Sequence, residues 1–479
     1  MAQLPSTVWR KYDAYVLDVD PKQDDRAVEF KLSTFSRPHM RSFYISTFAF
    51  FMAFACWFSF APLLAVGTIK ANLSLTADDV SNANIAALCS TVIGRAILGP
   101  LCDAFGARIV MACLLFFGAI PTFFQGLVQD AQGLAVCRFF VGFLGATFVA
   151  NQAWSSAMFG KSIVGRANAT SAGWGNLGGG VTHLIMVGLY EGYKQVTDPE
   201  TAWRVSFIVP AAVVMMCAFA VFLLADDCPK GNYNELIKHN SMVRKSSKKS
   251  AESALKSPNS WILALHYGCS FGIELIVFNV STSYFVNSFG MKLSKAALVS
   301  AAFGFFNIFS RPGGGFLSDT MNRRFGAGSR GMRGRILTQL ILMLCSGSML
   351  LAFSFQEDSM GGSIACLIAF AIAMQAVNGS TYSIVPYVAP EATGAVSGMT
   401  GAGGNVGAVC WSLIFRFGPA PNLCFRILSY IVLGAACTVP LINIRGYDTL
   451  FTKAKDEMAA IDVDGVDVNR TAPVAAEQI

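Results

Sequence analysis

Twelve apolar runs, each long enough to cross a bilayer as a helix, constrain this chain more than any other feature. A helix needs about 20 apolar residues to cross roughly 30 Å of hydrocarbon. The runs begin near Phe43, Val80, Ile109, Leu134, Ile163, Val205, Trp261, Ala296, Ile336, Ile364, Ala392 and Asn422. They end near Val66, Leu101, Val128, Phe159, Tyr190, Leu224, Ser288, Ser318, Phe355, Tyr387, Phe417 and Ile444. The sequence therefore predicts an all-α membrane protein with twelve transmembrane helices in a lipid bilayer.

The composition excludes several classes of soluble protein. Hydrophobic residues make up 54% of the chain and charged residues only 14%, whereas soluble domains are about a quarter charged. A net charge of +7 over 479 residues is too dilute for a phosphate-binding surface, so we expect no nucleic-acid partner. The cysteines form no CxxC pair, and no metal-ligand cluster, nucleophile motif or Walker sequence is apparent. We therefore expect no metal, no cofactor and no enzymatic activity.

The placement of lysine and arginine predicts which side of the membrane each loop occupies. Basic residues concentrate in the tails, the central segment and the loop after Arg323, which share one side in a twelve-helix chain. The central segment has no apolar periodicity and divides six runs from six. We expect two cytoplasmic tails (1–42 and 445–479), two six-helix bundles (43–225 and 261–444) and a cytoplasmic linker (226–260). The tail after Asp456 is acidic and rich in small residues, which predicts disorder.

The two halves of the chain repeat each other at two motifs. RAILGPLCD at residues 95–103 has the spacing of RPGGGFLSD at residues 311–319. GNLG at residues 175–178 likewise matches GNVG at residues 404–407. Duplicated halves are common in transporters, where the substrate site lies at the interface between the repeats. The sequence thus predicts two pseudo-symmetric bundles with a site between them.

An arginine lies at the same depth in each half. Arg95 and Arg311 each precede an aspartate at a helix end by eight residues, about 12 Å, which places them near the bilayer midplane. Such an arginine costs at least about 2.5 kcal/mol to insert, so it should face the interior and have an anionic partner. One interpretation is that each pairs with a buried acid such as Glu274. Because Glu274 is the one acid deep in a predicted span, positive charge remains, which favours an anionic substrate.

The motifs also resemble those of a known family. The pattern GxLxDxxGxR after the second helix resembles the cytoplasmic signature of the major facilitator superfamily, which implies the major facilitator fold. Its residues here are Gly99, Asp103, Gly106 and Arg108. A partial copy after the eighth helix carries Gly315, Asp319 and Arg323. The two glycine-rich helices resemble the paired nitrate signatures of the nitrate/nitrite porter family, although close helix packing is an alternative role for their glycines.

This resemblance implies a role for individual residues. Arg95 and Arg311 match the family's two substrate-clamping arginines. Asn176 and Asn405 match the polar residues of its signature helices, Phe148 matches the aromatic that stacks on the anion, and Tyr267 and Phe271 match an aromatic pair. For the aromatic residues, core packing is an equal alternative. A planar oxyanion suits this set because a guanidinium fork offers two parallel hydrogen bonds.

The sequence favours a secondary transporter that imports nitrate, and nitrite, by proton symport with alternating access. Glu274 is the first candidate for carrying the proton, and a permanent structural pair with an arginine is the alternative. His183 is the second candidate, although a buried core histidine is the commoner role. Nitrate/nitrite exchange and a non-transporting nitrate sensor are alternative functions. We expect the plasma membrane as the location, and the need for a small accessory protein stays open.

Overall fold

The computed structural model describes residues 11–64, 67–160, 162–241, 246–326 and 331–452. Long helices dominate these residues. In the N-terminal half they are α1 (His39–Trp57), α2 (Ala77–Phe105), α3 (Ala107–Phe124), α4 (Ala131–Met158), α5 (Val164–Lys194) and α6 (Ile208–Leu224). In the C-terminal half they are α7 (Pro258–Phe289), α8 (293–325), α9 (Arg333–Ser354), α10 (Met360–Val388), α11 (Thr393–Phe417) and α12 (Pro421–Ala436). Short helices cover Phe60–Leu63, Gly67–Asn72, Pro199–Val205, Tyr233–Lys238 and Ser247–Lys256.

Nine helices of the described residues are both long and apolar enough to cross a membrane. The three long helices outside this set are α5, α8 and α11, which carry the glycine motifs and Arg311. Glycine, asparagine and arginine lower the hydropathy of a helix that is nevertheless surrounded by other helices. The prediction of twelve membrane crossings therefore depends on these three helices. Their low hydropathy comes in part from residues that the sequence predicts to form the substrate site.

Short 3-10 segments interrupt α4 and α8. The first covers Phe143–Ala146 and the second Phe306–Ile308. A 3-10 turn breaks the regular pairing of each amide with the carbonyl four residues earlier, so backbone groups become available to side chains. Both interruptions lie beside the predicted arginines: Arg95 bonds Gly145 of the first, and Asn307 of the second bonds the same carboxylate as Arg311.

The two halves pack against each other through α2 with α11 and α5 with α8. A Cβ atom at Gly99 of α2 would lie 2.5 Å from the Gly394 carbonyl oxygen of α11. A Cβ atom at Gly173 of α5 would lie 2.3 Å from the Asn307 carbonyl oxygen of α8. Glycine is therefore required where the backbones of these helices touch.

The N-terminal segment is folded where the sequence predicts a tail. Strands β1 (Val19–Asp20) and β2 (Arg26–Ala27) form an antiparallel pair, and Gly160 donates its amide to Ala27 at 2.8 Å. Lys11 and Tyr12 both bond the carboxylate of Asp226, at 2.9 and 2.7 Å. The segment thus covers the end of the bundle that also carries the linker, which we call the tail end; the opposite end is the far end.

The linker also contains structure that its sequence pattern does not reveal. Ser247–Lys256 forms a helix that packs against α2 and α11. Its buried positions are Ser250 and Ala254, small residues that give no apolar signal although they have helical spacing. The basic residues Arg244 and Lys245 and the tail after Asp456 lie outside the described residues, so the predicted disorder of that tail stays a prediction.

Candidate functional site

Arg95 is fully buried between the two halves. Its Nε and Nη2 donate to the Gly145 carbonyl oxygen at 3.0 and 2.9 Å, in the 3-10 segment of α4. Its Nη1 donates to the Gly401 carbonyl oxygen of α11 at 3.0 Å. The centre of the guanidinium lies 4.9 Å from the ring centres of both Phe148 and Phe271. Arg95 forms no ion pair with any carboxylate of the described residues, so its charge is uncompensated.

Arg311 is equally buried, but it has an acidic partner. Its Nη2 donates to Glu274 Oε2 at 2.8 Å, and both side chains are at most 1% exposed. Glu274 also accepts hydrogen bonds from Asn307 at 2.6 Å and from Asn378 at 2.8 Å. Arg311 Nε and Nη1 are buried without a hydrogen bond of normal geometry. Glu274 therefore balances the charge of this arginine, while two of its donor groups lack a hydrogen bond of normal geometry.

Aromatic rings surround both guanidinium groups. Tyr267 and Phe271 stack with ring centres 4.9 Å apart, and Phe148 lies parallel to both at 5.8 and 6.2 Å. Tyr382 meets Phe148 edge-on at 4.9 Å. Phe271 also lies 5.6 Å from the Arg311 guanidinium, so it touches both arginines. The structure thus gathers all three predicted aromatic residues around the arginine pair.

The two signature asparagines donate to their own helices. Asn176 bonds the Ala172 carbonyl oxygen at 2.7 Å, and Asn405 bonds the Gly401 carbonyl oxygen at 3.1 Å. Gly401 is also the acceptor of Arg95, so Asn405 belongs directly to the arginine site. Asn176 lies one turn from Gly173, where an added Cβ atom would lie 3.3 Å from the Cβ atom of Arg311. Each arginine therefore faces the glycine motif of the opposite half.

His183 is buried in α5, toward the far end. Its Nε2 has no hydrogen-bond partner among the described residues, and it lies seven residues beyond Asn176, about 10 Å along the helix axis. No contact of the described residues joins His183 to either arginine. Its role in proton movement remains a prediction.

The superfamily motif at the end of α2 holds the tail end together. Asp103 accepts from the backbone amides of Gly394 and Ala395 at 3.2 and 3.1 Å and from the hydroxyl of Ser250. These bonds join α2, the start of α11 and the linker helix. They close the tail end between the two halves.

The rest of that motif contacts Asp227, just after α6. Arg108 donates its amide to Asp227 Oδ1 at 3.1 Å, and its Nε lies 3.6 Å from Oδ2. Gly106 has a φ of +87°, and a Cβ atom there would lie 2.6 Å from the same carboxylate. Burial raises the pKa of Asp227 to about 6, although the Arg108 guanidinium acts to lower it.

The second copy of the motif makes a different set of bonds. Asp319 pairs with Arg335 at 2.5 Å and lies 3.8 Å from Arg166. A Cβ atom at Gly315 would lie 2.6 Å from the Ala169 Cβ atom of α5. Arg323 is outside this network, since its guanidinium bonds Thr320 in its own helix. The structure therefore brings Gly315 and Asp319 to the interface between the halves but not Arg323.

Sequence reasoning missed several residues of the site. Asn307 and Asn378 hold Glu274, Tyr382 closes the aromatic cluster, and Asp227 and Arg335 complete the tail-end networks. Asn307 lies four residues before Arg311, so helical spacing could have found it. The others lie on segments different from those of their partners. Among the described residues no group of three histidines, cysteines or acids is arranged to hold a metal ion.

Comparison with known proteins identifies the family. Residues 46–411 match the Major Facilitator Superfamily. The chain is 40% identical over 431 residues to the high affinity nitrate transporter 2.5 of Arabidopsis thaliana, covering 90% of this chain and 84% of the relative. It is 39% identical over 422 residues to the high-affinity nitrate transporter 2.3 of Oryza sativa subsp. japonica, covering 88% and 80%.

A solved structure supports the same fold. The proton:xylose symporter XylE superposes with a TM-score of 0.60 at 14% identity, covering 84% of this chain and 95% of that chain. These matches confirm the predicted major facilitator fold and a multi-pass membrane transporter rather than an enzyme. The chain belongs to the major facilitator superfamily and, within it, to the nitrate/nitrite porter family.

Proposed function

We propose that this protein imports nitrate, and nitrite, by proton symport, and that the anion binds between Arg95 and Arg311. The names of its relatives support nitrate as the substrate. The main support for this site is the environment of Arg95. Its guanidinium group is fully buried and has no carboxylate partner among the described residues. A buried charge without a counterion is costly, and an anion that binds beside it would remove this cost.

The donors around the site suit a small planar oxyanion. Arg311 offers Nε and Nη1, and the Tyr267 hydroxyl is buried without a hydrogen bond of normal geometry. The fork of a guanidinium gives two parallel hydrogen bonds to oxygens in one plane, and the rings of Phe148 and Phe271 would cover the faces of a flat anion. Chloride could use the charge but not this geometry.

Proton symport is proposed from the membrane potential and from the Glu274–Arg311 pair. Import of one nitrate into a cell that is negative inside costs about 2.3 kcal/mol per 100 mV, so uptake from a dilute medium needs a driving ion. Protonation of Glu274 would remove the negative charge that holds Arg311 at 2.8 Å. The second guanidinium would then be free to bind the anion, and two protons per nitrate would make the cycle electrically favourable.

One observation favours nitrate/nitrite exchange as the second candidate mechanism. Glu274 accepts three hydrogen bonds, from Arg311, Asn307 and Asn378, and such bonds stabilise the charged carboxylate. A permanently charged Glu274 would be a structural partner of Arg311 rather than a proton carrier. The two mechanisms differ in the effect of pH on net uptake.

We further propose a plasma-membrane location with the tail end in the cytoplasm. The basic residues of the linker and of the loop before α9 support this orientation. A tag on either terminus should then be accessible only after the cells are permeabilised. Labelling of a terminal tag on intact cells would overturn the proposed topology.

The central experiment measures nitrate-evoked current in a heterologous cell at two external pH values. Symport predicts an inward current that grows as the medium becomes more acidic, because protons enter with each nitrate. Exchange predicts uptake that depends on internal nitrite rather than on pH, and a sensor predicts binding without uptake. Arg426→Lys is a matched control, since Arg426 contacts Phe355 and Glu357 away from the site.

A further inference from the structure

A polar cavity lies at the far end between the two halves, apart from the arginine site. Its volume is about 300 Å³, and α2, α7 and α11 line most of it. The side chains on its wall that carry polar atoms are Ser81, Asn84, Asn279, Tyr284, Asn287, Ser288, Ser412 and Arg416. Arg416 is the one charged residue of this lining, so no carboxylate of the lining opposes its charge.

Arg416 is only weakly neutralised. Its Nη1 donates to the side-chain oxygen of Asn82, and its Nη2 lies 3.7 Å from Asp78, beyond hydrogen-bond distance. The Asp78 side chain is 73% exposed, so water screens the pair strongly. Arg416 Nε is buried without a hydrogen bond. A cation with an unused donor therefore lies in the lining of the cavity.

A second arginine lies behind the cavity wall. Arg138 of α4 is 3% exposed and donates to Asn84 Oδ1 at 2.7 Å and to the Trp57 carbonyl oxygen at 2.9 Å. It forms no ion pair with a carboxylate of the described residues. Because Asn84 Oδ1 accepts from Arg138, the Asn84 amide group remains as the donor for the cavity. Arg138 thus adds positive potential and fixes the donor.

We propose that this cavity is a recruitment site for a monovalent oxyanion on its way to Arg95. Weakly neutralised cations beside a low-dielectric wall concentrate anions, and the amide and hydroxyl groups can donate hydrogen bonds. Ile85 on the wall precedes Arg95 by ten residues of α2, about 15 Å along the helix. The cavity therefore lies on the far-end side of Arg95. That nitrate is the anion rests on the proposed function.

Uptake kinetics with nitrate outside intact cells give the first test. Arg416→Gln should raise the half-saturating nitrate concentration about three- to tenfold with little change in maximal rate, because it removes a steering charge. Arg416→Lys should stay near the unmodified protein. An unchanged half-saturation, or a loss of maximal rate alone, in Arg416→Gln would overturn the proposal.

Removing the partners of Arg416 separates recruitment from a structural latch. If Arg416 merely ties α11 to α2, removing both partners of that tie, with Asp78→Asn combined with Asn82→Ala, should reproduce the defect of Arg416→Gln. If Arg416 recruits anions, removing the neighbouring carboxylate strengthens its field, so the half-saturating concentration should stay equal or fall. A matching defect in the double variant and in Arg416→Gln therefore contradicts recruitment.

The electrostatic potential in the cavity can also be measured in an experiment that does not depend on transport. A cysteine introduced by Ser412→Cys should react faster with an anionic than with a cationic membrane-impermeant thiosulfonate, and nitrate should slow the reaction. Adding Arg416→Gln should lower that preference severalfold; an unchanged preference overturns the proposal. The chain without Ser412→Cys controls for the native cysteines. This readout stands even if nitrate is not transported, so the two proposals fail separately.

Discussion

The two midplane arginines occupy matching positions in the repeated halves but have opposite surroundings. Arg95 bonds two backbone carbonyl oxygens and touches two aromatic rings, with no carboxylate partner among the described residues. Arg311 bonds Glu274, which Asn307 and Asn378 also hold. The repeated halves therefore carry matching cations with different neighbours: Arg311 is half of a charge pair, whereas Arg95 has no carboxylate partner among the described residues.

The sequence positions that cause this difference can be named. Four residues before Arg311 stands Asn307, whereas four residues before Arg95 stands Thr91, whose hydroxyl bonds the Ala87 and Gly142 carbonyl oxygens. Helix α7 contributes Glu274, while α1 carries no acidic residue. The asymmetry thus lies in the partners of the arginines rather than in the repeated motif.

Replacing each arginine by methionine gives the largest expected difference. Arg311→Met leaves Glu274 buried without its cation, which should lower the free energy of unfolding by about 3–5 kcal/mol. Arg95→Met removes an uncompensated charge and keeps most of the side-chain volume. It should therefore lower the free energy of unfolding much less. Thermal unfolding of the purified variants measures both. Arg311→Met combined with Glu274→Leu should recover stability, and equal losses in the two single variants would refute the asymmetry.

Glu274→Gln tests whether the charge pair carries the proton. Glutamine keeps the hydrogen-bonding shape but cannot titrate, so accumulation driven by a pH gradient should be lost while exchange of nitrate across the membrane partly persists. Uptake and counterflow in proteoliposomes separate these activities. Normal pH-dependent accumulation in this variant would make Glu274 a structural partner only.

The glycines that face the two arginines should tolerate alanine unequally. A Cβ atom at Gly173 would meet the Asn307 carbonyl oxygen at 2.3 Å, whereas at Gly401 its nearest neighbour is the flexible Arg95 side chain at 3.3 Å. Gly173→Ala should therefore cost about 1–3 kcal/mol of stability, and Gly401→Ala well under 1 kcal/mol. Melting temperatures of the two variants measure this, and a reversed order would contradict the packing.

The sequence predicts the helical bundle and much of the site because those features have local patterns. Apolar runs mark most helices, and the repeat places Arg95 and Arg311 at equal depth. Glu274 is visible as the single acid deep in a span. Its helical spacing from Tyr267 and Phe271 places all three on one face of α7.

The remaining features depend on contacts between distant segments. Nothing near Asp227 in the sequence indicates that its carboxylate accepts a hydrogen bond from Arg108, which is 119 positions away. The linker pattern likewise does not show that the Ser250 hydroxyl bonds Asp103. Tertiary contacts likewise determine that Glu274 pairs with Arg311 rather than with Arg95. Both arginines satisfy the motif equally, and the crossing of α7 with α8 and α10 decides which one is paired.

The most direct test of the central claim is equilibrium binding of nitrate to the purified protein and to Arg95→Lys, measured by titration calorimetry. Lysine keeps the charge but loses the fork, which removes a charge-assisted hydrogen bond worth roughly 1.5–3 kcal/mol. The account predicts binding weaker by about tenfold or more, with Arg426→Lys unchanged as the control. Unchanged affinity in Arg95→Lys would contradict the claim that the uncompensated arginine is the anion site.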